Sequence, residues 1–133
     1  MEYLSSPDIL AIHDRIIEET SGMLGVREEN LLQSIAQRPK TAFSAVEQFP
    51  DVFTKAAAYL ESIATYHVFL DGNKRTALSA AAVFLHINGY VTSFPFKEAE
   101  GFLLAVAKRQ RSLEEIAAWL KKRARKKRAR SNL

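Results

Sequence analysis

Apolar residues recur at helical spacing along almost the whole chain. Ile9, Leu10, Ile12, Ile16 and Ile17 form one stripe, with Ser6 placed to cap it and Pro7 at the first helical position, and Ser21 and Gly22 close it. Residues 27–37 repeat the pattern through Leu31, Leu32 and Ile35, until Pro39 pushes the backbone at Arg38 toward extended geometry, so the second helix is short. Pro50 and Asp51 open a third helix whose Val52, Phe53, Ala56, Ala57, Tyr59, Leu60, Ile63 and Ala64 leave few polar sides, which marks it as central. Residues 74–88 predict a fourth, also buried, ended by Gly89. Phe102, Leu103 and Val106 carry a fifth over 98–108, and Ser112 with Glu115 makes a capping box for a last helix containing Leu113, Ile116, Trp119 and Leu120. Residues 40–48 have weak periodicity and read equally as a loop or a small hairpin, while Tyr90 to Phe94 reads as a brief extended piece before Pro95. The expected fold is all-α: a compact helical bundle in which a central helix pair flanks one loop, with room for one short hairpin.

Composition narrows the class. A chain of 133 residues that is 47% hydrophobic, with five Gly and four Pro, suits one globular core and excludes collagen-like or wholly disordered classes. It has no Cys, hence no thiol nucleophile, thiolate metal site or disulfide framework, in keeping with a reducing cytosol. No basic stretch precedes an apolar run at the amino terminus, and the longest apolar run, 77–87, is interrupted by Ser79 and His86 and falls short of the roughly 20 residues a spanning helix needs. The expectation is a soluble, cytoplasmic bacterial protein that does not enter a membrane.

The net charge of +4 divides unevenly. Residues 121–130, KKRARKKRAR, hold eight Lys or Arg and no acid, which leaves 11 basic against 15 acidic residues elsewhere. A body of net charge −4 offers no general footprint for nucleic acid. The chain is therefore divided into a folded domain over 1–120 and a basic tail over 121–133. Like charges four apart weaken a helix, so the tail reads as a solvated, fraying extension; the competing reading has residues 121–130 gripping RNA or DNA phosphates with steep salt dependence.

Candidate chemistry gathers between the two central helices, in His67-Val68-Phe69-Leu70-Asp71-Gly72-Asn73-Lys74-Arg75-Thr76-Ala77. A helix entered through Gly-Asn-Lys-Arg turns unpaired N–H groups and its positive dipole end outward, which suits phosphate. The dipole is worth only about 0.3–1 kcal/mol near a surface, so side chains must contribute most. Lys74 and Arg75 put two cations where cations disfavour a helix and favour a bound anion. Gly72 would admit the phosphate chain closely, and Asn73 could donate its amide to a phosphate oxygen while capping the helix. Asp71 is a hard oxygen ligand suited to magnesium, and His67 can take a proton from a hydroxyl near neutral pH. Taken singly each has a structural reading: a turn acid, a cap, a solvated helix start. The remaining histidines, His13 and His86, lie inside helical patterns without acids at ligand spacing and are given no role; Phe84, Phe102 and Trp119 read as core, and Tyr59 and Tyr66 as core or rim.

The string resembles the signature of the Fic/Doc family, HPFx(D/E)GN(G/K)R, and Lys74 at its eighth position resembles the Doc branch. Further segments are similar, among them Ala11-Ile12-His13-Asp14, Gly25-Val26-Arg27 and Phe84-Leu85-His86-Ile87-Asn88-Gly89-Tyr90, so that the likeness covers about residues 3 to 120. It implies His67 as general base, Asp71 as the magnesium-linked acid, Gly72, Asn73, Lys74 and Arg75 as the phosphate contacts, and Phe69 as the buried anchor of the loop. Val68 replaces the usual Pro, Leu78 stands where AMP-transferring members carry a second Arg, and Thr65 stands where Doc has a basic residue. The resemblance thus implies a toxin that moves the terminal phosphate of ATP, with magnesium, to a Ser or Thr hydroxyl of a protein such as translation elongation factor Tu. AMP transfer is the alternative, and a non-catalytic phosphate- or nucleic-acid-binding module is the second. No inhibitory (S/T)xxxE(G/N) motif is found, since Gly25 and Phe96 stand at the required Ser/Thr positions, so a Phd-like antitoxin is expected to restrain the chain in trans.

Overall fold

A computed structural model describes residues 1–128. The elements run α1 (Ser6–Thr20), α2 (Glu29–Gln37), a 3-10 turn (Arg38–Lys40), β1 (Ala42–Phe43), β2 (Val46–Glu47), α3 (Val52–Tyr66), α4 (Asn73–Ile87), β3 (Tyr90–Thr92), α5 (Phe96–Ala107), α6 (Leu113–Lys122) and β4 (Ala124–Lys126). This is the helical bundle the periodicity predicts, with two small antiparallel strand pairs added. None of the described helices is long and apolar enough to cross a membrane.

Side-chain caps set three of the helix starts. Ser5, one residue earlier than expected, caps α1: its Oγ accepts from Asp8 N–H while the Asp8 carboxylate accepts from Ser5 N–H. Asp51 caps α3 by accepting from the N–H groups of Phe53 and Thr54, and Ser112 and Glu115 form the expected capping box on α6. The core lies where α3 packs on α4 and α6. Alanines supply much of the buried surface of both central helices, Ala56, Ala57 and Ala64 on α3 and Ala77, Ala80 and Ala81 on α4, and small side chains let two backbones lie close. Larger groups close the ends of this layer, with the Phe84 ring 5.1 Å from that of Tyr59.

Tyr59 ties the amino terminus down. Its fully buried hydroxyl accepts from Leu4 N–H at 2.9 Å and donates to Leu4 C=O at 3.3 Å, and burial pushes its pKa up to about 12. In the folded state the phenol holds its proton more tightly than in the unfolded chain. Its contribution is therefore complete below about pH 10 and is lost as pH rises toward 12, by about 2–3 kcal/mol. Urea titrations at pH 9 and pH 11.5 should show the gap between the wild-type chain and Tyr59→Phe shrinking over that interval; an unchanged gap would refute it.

Residues 40–48, left open between loop and hairpin, form the β1–β2 hairpin with Ala42 opposite Glu47. Its two-residue turn uses Ser44 and Ala45 at φ 51° and 65°, a geometry for which Asn-Gly is the usual signal, so no local signal marks the turn. The hairpin is held by the buried Lys55 ammonium of α3, which donates to the Pro39 and Phe49 carbonyls and to the Glu47 carboxylate.

The tail requires a correction. Lys121 and Lys122 finish α6, and residues 124–126 form β4, pairing antiparallel with β3 as Tyr90↔Lys126, Val91↔Arg125 and Thr92↔Ala124. Arg123 joins them by stacking on the Trp119 ring, donating to Trp119 C=O and pairing with Glu98. The run does not fray from residue 121, because backbone pairing and one aromatic platform outweigh the mutual repulsion of its charges. Residues 129–133 of the expected extension lie outside the described residues.

Candidate functional site

The segment between α3 and α4 is held from three directions. His67 ends α3 in the left-handed conformation, φ 51°, with its side chain exposed and without a hydrogen-bond partner among the described residues. Val68 and Phe69 turn inward, and a short bridge to the α1–α2 connection fixes them: Arg27 N–H donates to Val68 C=O at 2.7 Å and Leu70 N–H donates to Gly25 C=O at 3.1 Å. Phe69 is the buried anchor expected, 1% exposed, and its ring stacks on His13 with centroids 3.8 Å apart.

Asn73 closes the loop on itself. Its Oδ1 accepts from Phe69 N–H at 3.1 Å and its Nδ2 donates to Phe69 C=O at 3.0 Å. The expected cap by Asn73 is thus corrected: Gly72 occupies the cap position, and the Asn73 amide is committed to the loop backbone, where it replaces the partners a strand would supply. Gly72 is required at that position for a reason inside the fold. Its φ is +77°, and a Cβ would lie 3.0 Å from Ile17 Cδ1 of α1.

Asp71 is exposed yet fixed. One carboxylate oxygen accepts from Gly72 N–H at 2.9 Å and the other from Met23 N–H at 3.2 Å. The first helical bond of α4 runs from Thr76 N–H to Gly72 C=O, so the N–H groups of Asn73, Lys74 and Arg75 have no acceptor within the helix. Lys74 and Arg75 are exposed and make no ion pair among the described residues.

Asp71, Gly72, Asn73, Lys74 and Arg75 line one cavity of about 320 Å³ with Ile17, Thr20 and Gly22. Lys74 and Arg75 also border a larger hollow of about 800 Å³, bounded by Leu78 and Ser79 of α4, the end of α1 and the start of α5. Five of the six expected site residues therefore share a concave surface. His67 is not among the residues lining either space; it stands at the exposed entry of the same loop. Thr65 is buried with its hydroxyl donating to Glu61 C=O, and Tyr66 is 39% exposed and lines neither space.

Sequence spacing assigns His13 no role, yet the loop is built on it. The warning in the sequence was a histidine in the apolar stripe of α1, between Ile9 and Ile17, since a polar ring buried there must find partners. Those partners lie on the loop, out of reach of any local pattern.

Known proteins resemble this chain over most of its length. The model of the Fic/DOC family matches residues 3–85. Toxin Doc of Mycolicibacterium smegmatis is 40% identical over 121 residues, which cover 90% of this chain and 91% of that protein. Protein kinase doc of Escherichia phage P1 is 33% identical over 122 residues, 92% of this chain and 95% of that one.

Proposed function

The chain belongs to the Fic/DOC family, and we propose that it acts as a Doc-type toxin by transferring the terminal phosphate of ATP to a Ser or Thr hydroxyl of a protein. The observation that carries this reading is the start of α4, where three N–H groups and two cations without partners among the described residues and one anchored carboxylate line a single cavity. Such an arrangement suits phosphate chemistry, in which positioning and charge stabilisation do most of the catalysis.

The residues fit ATP and magnesium. The larger hollow is within the range of about 300–1,000 Å³ usual for small-ligand sites, and it meets the smaller cavity at Lys74 and Arg75. Magnesium asks for few protein ligands when phosphates supply the others, and Asp71 keeps lone pairs beyond its two N–H contacts. Asp71 would hold the ion, which when bound supplies charge neutralisation on the phosphates. Lys74, Arg75 and the free N–H groups orient the terminal phosphate and stabilise its developing charge. Gly72 and Asn73 keep that helix start in place. His67, with no hydrogen-bond partner among the described residues, accepts the hydroxyl proton of the incoming protein substrate.

AMP transfer is the second reading. Leu78 lines the larger hollow as an apolar group, so that wall offers no second guanidinium to an α-phosphate, which supports phosphoryl over nucleotidyl transfer. The protein kinase named among the relatives points the same way. Translation elongation factor Tu is proposed as the substrate, the bacterial cytoplasm as the place of action and a Phd-like antitoxin as the restraint in trans. Incubation of the chain with γ-labelled and with α-labelled ATP in a bacterial lysate tests the reaction. The γ-label should enter one protein band and the α-label none; α-label in the band would establish AMP transfer, and no label from either would refute both.

A further inference from the structure

We infer that His13 is a positioning residue for Asp71, acting through the loop backbone rather than on any substrate. The inference rests on the reading of Asp71 above. The His13 ring is fully buried, its Nε2 lies 2.8 Å from the Asp71 carbonyl oxygen, and its Nδ1 lies 3.0 Å from a carboxylate oxygen of Asp14. A carbonyl can only accept, so Nε2 carries the hydrogen of the first contact. The same ring stacks on Phe69 at an interplanar angle of 7°, which fixes its plane.

Asp71 is consequently gripped at both ends by α1 and its following turn. His13 holds its main chain, and Met23 N–H holds its carboxylate. The turn has no spare room, since a Cβ on Gly22 would sit 2.7 Å from Asp71 Oδ2. The packing of an otherwise conventional amphipathic helix thereby fixes where the carboxylate stands relative to Lys74 and Arg75. Groups that orient a metal-binding side chain commonly change activity by about 10- to 100-fold when removed.

Two substitutions separate the donor from the ring. His13→Phe keeps the stack on Phe69 and loses the Nε2 hydrogen, whereas His13→Gln loses the stack and keeps an amide donor able to reach the carbonyl. For the full chain, His13→Phe should lower kcat for γ-phosphate transfer by about 10- to 100-fold with KM for ATP within about 3-fold, and His13→Gln should recover most of the loss. A folded His13→Phe with wild-type kcat overturns the inference, as does a folded His13→Gln no better than His13→Phe. The nitrogen spectrum of the ¹⁵N-labelled wild-type chain reads the clamp without any turnover, the His13 signals being those that remain once the exposed His67 and His86 are identified by their loss in His67→Asn and His86→Asn. Nε2 should be protonated, and a ring protonated at Nδ1 alone refutes the clamp even if both variants fold poorly. If the wild-type chain transfers no phosphate, the proposed reaction falls, and the nitrogen spectrum alone then decides the fate of the clamp.

Discussion

His67→Ala should lower phosphoryl transfer by about 10²- to 10⁴-fold, the usual worth of a general base, while leaving the fold intact. The imidazole is exposed and makes no hydrogen bond among the described residues, so its removal leaves no buried partner unsatisfied. What the fold does need at this position is a residue that tolerates φ 51°. Ala tolerates it less well than Asn, so His67→Asn is the companion variant: it should match His67→Ala in lost activity without a cost in backbone strain. The check is the rate of γ-label incorporation set beside the urea midpoint of each variant. Equal activity of wild type and His67→Asn would remove the base from the mechanism.

Phe69→Ala should have the largest effect on stability, about 3–5 kcal/mol, as expected for deleting a fully buried aromatic ring. That is a large share of the roughly 5–15 kcal/mol by which a domain is ordinarily stable. The ring is 1% exposed and forms the platform for His13, so its loss opens a cavity directly beneath the loop. Activity should fall with stability, because the His13 contact to Asp71 loses its backing. Leu70, next in sequence, points outward at 52% exposure, and Leu70→Ala should change stability by no more than about 0.5 kcal/mol. Urea unfolding followed by circular dichroism measures both. A loss below about 1 kcal/mol for Phe69→Ala would mean that the loop stands without its anchor.

The candidate site was legible because its parts are contiguous. His67, Asp71, Gly72, Asn73, Lys74 and Arg75 lie within nine positions of one another, and the chemistry of each type is local: a cap, a turn, a helix start, a cation pair. Reading them together was possible without knowing the fold. The expected cap by Asn73 shows where such local reading stops. An Asn at a helix start is usually a cap, and only the loop geometry shows its amide spent on both polar groups of Phe69. The end of the folded part is hard to read from the sequence for a similar reason. A dense run of Lys and Arg repels itself, and nothing local indicates that β3, some 35 positions earlier, has an open edge waiting for it.

By itself the sequence determined the helices, through a hydrophobic period that any packed arrangement must honour, and it determined the polar, cationic start of α4, through residues adjacent along the backbone. The tertiary structure alone decided which groups hold that start in place. His13 meets the Asp71 carbonyl across 58 positions, Met23 meets the Asp71 carboxylate across 48, and Lys55 reaches the carbonyls of Pro39 and Phe49. A buried polar group takes whatever partner the packed chain brings within about 3 Å, and separation along the sequence places no limit on that choice.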